Sequence, residues 1–162
     1  MSLSNMPVFP HQSEVLVSSY NKDEVIGRLN QVTRDVNFLD YEARKANGYS
    51  FNGTFEEDRF RVSLVIDKAD SFLPLIKGKV ESTPIGCILF LEYRLFPSSA
   101  FFLAFWSGVT LLMALFFGFL ADKPVYAVLS LAFGLGNYLF AWFHFKRKIK
   151  VSQKIFYGLL NN

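Results

Sequence analysis

Few side chains in this chain are of types that do chemistry, and their spacing brings none of them together. His11 and His144 stand far apart. A metal centre needs several ligands converging on one place, and no such cluster can be read. Cys87, the single cysteine, sits in the apolar run "GCILFLEY". A nucleophilic thiolate needs a cationic or histidine-bearing setting, so a buried, inert thiol is the expectation, with no intrachain disulfide, as fits a reducing compartment. Ser71, in "DSFLPLIKG", is not in a nucleophile elbow and has no histidine beside it. Glu56 and Glu57 adjoin each other at a predicted turn, where solvation accounts for an acidic pair. Gly134-Leu135-Gly136 falls inside an apolar span, where packing explains it better than phosphate binding does. Asn52-Gly53-Thr54 matches a glycosylation sequon, which carries no meaning in a segment predicted to be cytoplasmic. The expectation is a non-enzymatic protein with no catalytic residue, no cofactor and no metal.

Charge is divided unevenly along the 162 residues. Residues 1–99 are near −2, residues 100–145 hold only Asp122 and Lys123, and the tail carries Lys146, Arg147, Lys148, Lys150 and Lys154 with no acid. The net charge of +3 is therefore a property of the tail. A nucleic-acid binder would show its basic face on the folded part, so no nucleic-acid partner is expected.

The elements that would position any site begin with "GFLADKPVYA", Gly118 to Ala127, which separates two uncharged runs, 100–121 and 124–145. Each run would make a helix roughly 33 Å long, enough for a bilayer core of about 30 Å. Both are apolar on every side, unlike the one-sided helices of soluble domains. A transmembrane hairpin over 97–145 is predicted, with Asp122-Lys123 as its turn and Pro124 at the start of the second span. Arg94 and the basic tail flank the hairpin on one side and a lone lysine lies on the other, so both termini should be cytoplasmic. Trp142, His144 and Tyr126 are expected interface anchors.

Small residues recur at four-residue spacing in the spans: Ala104/Gly108, Ala114/Gly118, Ser130/Gly134 and Ala132/Gly136. Such pairs let helix backbones approach closely, either within the hairpin or against a second protomer or partner. Asn137 is the most polar residue deep in a span and could bond across the hairpin to Thr110, Ser107 or a backbone carbonyl. No intramembrane Asp, Glu, Lys or Arg is present, which argues against a transporter.

Residues 14–96 read as a cytoplasmic α+β domain behind a loose lead-in, 1–13. Glu14 to Tyr20 is a strand candidate. "NKDEVIGRLNQVTRDV" follows as a helix with Asn21 as N-cap and Glu24 three positions later. "DYEARKANG" (Asp40 to Gly48) reads as a loop. Period-two runs then predict a hairpin (Phe51, Gly53, Phe55 and Phe60, Val62, Leu64, Ile66) and two further strands, Leu75 to Ser82 and Cys87 to Phe96, joined by "TPIG". The loop Asp67 to Pro74 is expected to expose Phe72 and Leu73 as a contact surface. The tail, 146–162, has two readings. It returns as a strand (Phe145, Arg147, Ile149, Val151) and a short helix, so that the hairpin is an insertion in one folded unit. Otherwise it lies on the membrane as a basic amphipathic helix with Ile149, Phe156 and Leu160 inward, where Lys146, Arg147, Lys148 and Lys150 would attract anionic lipid.

"FNGTF…RF" (Phe51 to Phe60) followed by "SFLPLIKGKV" (Ser71 to Val80) resembles a pattern in small uncharacterised bacterial membrane proteins, in which such strands precede two transmembrane helices and a basic tail. The layout is also similar to bacterial membrane domains related to pleckstrin-homology folds. The resemblance implies a bacterial inner-membrane setting and lends no active site. The expected role is an anchor, scaffold or accessory subunit that binds a membrane or cytoplasmic protein; the alternative is an effector or small channel made by self-association of the hairpin.

Overall fold

The computed structural model describes residues 9–35, 48–66 and 70–161. It is an α+β structure: a six-stranded sheet and three helices, two of them long and apolar enough to cross a membrane. Most of the loop predicted over Asp40–Gly48, and residues 67–69 of the predicted contact loop, lie outside the described residues.

The strands are β1 (His11–Ser18), β2 (Thr33–Asp35), β3 (Phe51–Glu56), β4 (Arg59–Leu64), β5 (Pro74–Thr83) and β6 (Gly86–Leu95), in the order β1-β6-β5-β4-β3-β2. All neighbours are antiparallel except β2 and β3. The β3–β4 turn falls at Glu57, in the left-handed region with φ 45, and Gly86 closes the β5–β6 turn with φ +148. A side chain at Gly86 would strike the Ser18 carbonyl of β1, so only glycine fits there. β1 starts at His11, inside the segment read as lead-in, because its register with β6 runs back to Arg94.

Period-two alternation sorts the sheet into two faces. On β6, Cys87, Leu89, Leu91, Tyr93 and Leu95 are buried, whereas Phe90 and Arg94 are exposed. The buried face is covered by α1 (Lys22–Val32) and by the second half of α3 (Pro124–Asn161). Asn21 caps α1 as its type predicts, its Oδ1 accepting from the Glu24 N–H at 2.8 Å. The Glu24 carboxylate turns instead to Arg28. The helix ends at Val32 rather than continuing through Val36, because Thr33–Asp35 pair with β3. Those three residues carry no local strand signal.

β6 leads through Phe96 into α2 (Pro97–Leu115), with Pro97 in the first turn. A π-helical turn, Phe116–Leu120, completes the first apolar helix. Asp122, at φ 51, reverses the chain, and the Lys123 N–H bonds to the Phe117 carbonyl at 2.8 Å. α3 then runs for 38 residues without a break, about 57 Å at the standard rise. The strand reading of the tail is therefore incorrect. Phe145, Ile149, Ser152, Phe156 and Leu160 are all buried, at the three- and four-residue intervals that put side chains on one helix face. That stripe meets the sheet: the Phe156 ring lies 5.1 Å from Phe51 and 6.1 Å from Phe60. The face read as lying on a membrane is the lid of the core. Beneath it the Phe60 ring rests on Gly78, where a Cβ would collide with the ring.

Phe156→Ala is expected to destabilise this core by about 3–5 kcal/mol, and Lys154→Ala on the exposed side by less than about 0.5 kcal/mol. Cys87 is fully buried, so its labelling by a thiol reagent in detergent solution reads core opening. The rate should rise at least roughly a hundredfold in Phe156→Ala and stay level in Lys154→Ala.

Candidate functional site

Where the hairpin joins the sheet, Asp70 gathers three donors from two segments. Its Oδ1 accepts the Phe72 N–H at 3.0 Å, folding the segment before β5 into a tight turn. Its Oδ2 accepts from His144 Nε2 at 2.8 Å and from Lys148 Nζ at 3.2 Å. His144 and Lys148 stand one turn apart on α3, so one carboxylate holds both. Burial opposes the charge of Asp70, but the bonds from His144, the Phe72 N–H and Lys148 outweigh it and hold the carboxyl below its usual range.

This arrangement corrects the reading of Phe72 and Leu73 as an exposed contact loop. Both are 7% exposed, and the Phe72 ring meets Phe140 edge-on at 6.2 Å and His144 at 6.5 Å. They looked exposed because the helix that covers them follows some seventy residues later. Lys148, read as a lipid contact, is committed to Asp70. Lys146 lies over the Trp142 ring at 5.2 Å, and Lys146, Arg147 and Lys150 remain exposed.

A second cluster forms farther along α3. Glu14 of β1 accepts from Tyr157 Oη at 2.6 Å, Gln153 Nε2 at 2.9 Å and Tyr93 Oη at 3.2 Å. Burial first, then the nearby Glu14 charge, pushes the Tyr93 phenol well above its ordinary range. The hydrogen bond to Glu14 raises that of Tyr157. Phenols held protonated on a carboxylate with three donors make a clamp between β1, β6 and α3. Sequence reading missed this cluster, since its partners lie 79, 139 and 143 positions from Glu14. The only local sign was a carboxylate on the buried side of a strand.

The small residues of the hairpin separate into two groups. A Cβ at Gly134 would touch Thr110 Oγ1 at 2.5 Å, one at Gly118 would meet Ala127 at 3.6 Å, and Ala114 is buried. These pack α2 on α3. Gly108 and Gly136 have nothing within 4 Å, and Ala104 is exposed, so these face outward. Ser130 donates to its own helix at Tyr126. Thr110 donates to Trp106 and Ser107 carbonyls, and Ser107 to Leu103, so neither hydroxyl donates across to the half-buried Asn137 as the sequence suggested. Asn52 of the sequon is 7% exposed, which leaves no room for a glycan. Among the described residues no group of His, Cys, Asp or Glu is placed to hold a metal.

No protein-family model matches the chain, and no curated protein matches it. Among solved structures it is similar to a Polyketide_cyc-like protein from Corynebacterium glutamicum, determined by solution NMR, at 10% identity and a TM-score of 0.36, over 91% of this chain and 96% of that one. The expectation of a non-enzymatic protein does not stand. At this TM-score the likeness supplies no active site and no reaction.

Asp70 is more acidic in the folded chain than in the unfolded one, so its contribution is complete above about pH 4 and disappears as pH falls through the depressed folded range. Asp70→Asn is expected to cost about 1–3 kcal/mol at neutral pH and to lack that acid-sensitive step. Near-UV circular dichroism of both proteins down to about pH 2 checks this; identical acid profiles would remove Asp70 as the clamp.

Proposed function

We propose that the chain is an integral membrane protein whose two-span hairpin, inserted between the last strand and the closing helix of an α+β fold, holds that fold at the membrane surface as an interaction domain. One observation carries the reading. In the two candidate spans, Pro97–Leu120 and Pro124–Leu160, only 11% and 6% of the most apolar window is buried. Phe101, Leu112, Phe119, Val125, Phe133 and Phe143 are all more than 60% exposed. An apolar surface on all sides of a paired helix suits hydrocarbon and would aggregate in water.

The charge distribution supports an orientation with the sheet in the cytoplasm: Arg94 and the cations from Lys146 flank one end, Lys123 the other. Aromatic residues accompany both ends. Lys146 covers Trp142, and Lys123 lies 5.9 Å from the Tyr126 ring. Exposed Lys146, Arg147 and Lys150 then face anionic headgroups while the sheet meets a protein partner. A second reading, self-association through the hairpin as an effector or channel, draws on the outward Gly108 and Gly136.

Single cysteines test the placement, since native Cys87 is buried. Lys123→Cys should react with a membrane-impermeant maleimide on intact cells, and Lys154→Cys only after lysis. Extraction of the chain by alkaline carbonate without detergent would overturn the membrane reading. Gly136→Leu should leave native mass of the detergent-extracted protein unchanged under the anchor reading and collapse an oligomer under the second.

A further inference from the structure

The sheet face turned away from α1 and α3 carries side chains that neither the core nor the hairpin uses. Arg61 on β4 stands opposite Lys77 on β5, and Arg59 opposite Lys79. Like charges directly across a ladder repel and cost stability, so two such pairs side by side call for a counter-charge. The neighbouring acids are largely committed elsewhere. Glu81 pairs with Lys79 at 2.6 Å, and Glu92, the cross-strand partner of Lys77, is held by His11 at 2.8 Å and by Arg94. Asp58 lies 4.0 Å from Arg59, and Glu56 stands opposite Arg59 on β3. Among the described residues no ion pair reaches Arg61 or Lys77.

These cations line a trough of about 590 Å³, within the range of small-molecule sites. Its far side holds an apolar patch, Phe90 of β6 and Val15 of β1, 40% and 58% exposed, beside the polar Glu92 and Ser13, while Thr54 and Glu56 of β3 line the near edge. Phe90 is the cross-strand partner of both Lys79 and Val15, so the apolar patch and the cations are contiguous. From β1 to β4 the trough crosses three strand spacings, about 14 Å.

We propose that this trough binds a small, soluble organic phosphate monoester, with its head between Arg61 and Lys77 and its apolar body over Phe90 and Val15. A phosphate ester carries about −1.5 to −2 charges at neutral pH, which complements the cations of β4 and β5; the Glu92 carboxylate beside them is already taken by His11 and Arg94. The Arg61 fork can take two of its oxygens and the Lys77 ammonium a third. The volume accommodates a ring-sized body, not a pair of acyl chains. This inference does not depend on the membrane placement, and its test reads a different face of the molecule.

The experiment is isothermal titration of the full chain, in nanodiscs of phosphatidylcholine, with phenyl phosphate and with inorganic phosphate. Phenyl phosphate should bind more tightly than inorganic phosphate. Arg61→Gln and Lys77→Gln should each weaken it by about tenfold or more, and Phe90→Ala should weaken phenyl phosphate while leaving inorganic phosphate unchanged. Lys123→Gln, at the hairpin tip, should change neither. Protection of Cys87 from labelling verifies that each variant is folded, and Arg61→Gln should unfold no earlier than wild type in the absence of ligand, since it relieves a like-charge pair. Absence of phenyl phosphate binding, binding that survives both charge removals, equal binding of the two phosphates, or binding seen only when phosphatidic acid is placed in the disc would each overturn the proposal.

Discussion

The structure depends on one uninterrupted helix facing two environments. The first half of α3 pairs with α2 and is otherwise apolar and exposed; the second half shows one buried stripe and a charged outer side. No proline interrupts it after Pro124, and Gly134, Gly136 and Gly158 are absorbed without a break. In proteins most helical stability comes from packing an apolar face rather than from backbone propensity. Packing holds it, and the packing differs at the two ends. At the hairpin end small residues admit close approach, as at Gly134 on Thr110, where van der Waals contact is the available attraction. At the sheet end Phe145, Ile149 and Phe156 leave water, each contributing about 1.5–3 kcal/mol.

Because apolar packing has little direction, polar clamps fix where along its axis α3 sits. Asp70 grips His144 and Lys148 near the hairpin, and Glu14 grips Gln153 and Tyr157 farther on. Sliding the helix by one residue would turn these donors about 100° away and leave partly buried carboxylates unsatisfied, a larger penalty than the bonds are worth when formed. Arg28 adds a third tie from α1, donating to the Leu159 carbonyl at 3.1 Å. Hairpin and sheet are thus joined by a rigid rod with defined rotation. In the membrane-anchored reading, a tilt of the spans would carry the sheet with it.

Local patterns made part of this legible from residues alone. The Asn21 cap, the β3–β4 turn at Glu57-Asp58, the alternation on β5 and β6 and the two uncharged runs each write their signal within a few positions. What stayed hidden was set by distant partners. Phe145 and Ile149 fit a period of two as well as a period near four, and only contact of the Phe156 ring with Phe51 and Phe60 decides for the helix, which leaves Val151 exposed. Thr33–Asp35 become a strand because β3 offers an edge, and Phe72 is buried because Phe140 and His144 return to it. A carboxylate such as Glu14 or Asp70 shows its role only once donors from α3 are in place.

The sheet also contains a conflict that its fold does not resolve. In most of the core each level of this sequence agrees with the next: apolar positions face inward, a glycine stands where the Phe60 ring needs room, and partly buried carboxylates meet donors, with the buried Asn52 Oδ1 left unpartnered. Arg61 against Lys77 breaks that consistency on a face where Lys79, Glu92 and Arg94 have found partners. Mutually supportive choices are what give a sequence a single structure, and departures from them concentrate where a site needs something that folding alone would not select. Uncharged residues at these exposed strand positions would face each other without that repulsion, so fold stability alone does not call for Arg61 opposite Lys77. The repulsion has a physical remedy, a dianion between the two side chains, and the apolar patch of the same trough gives that anion a body.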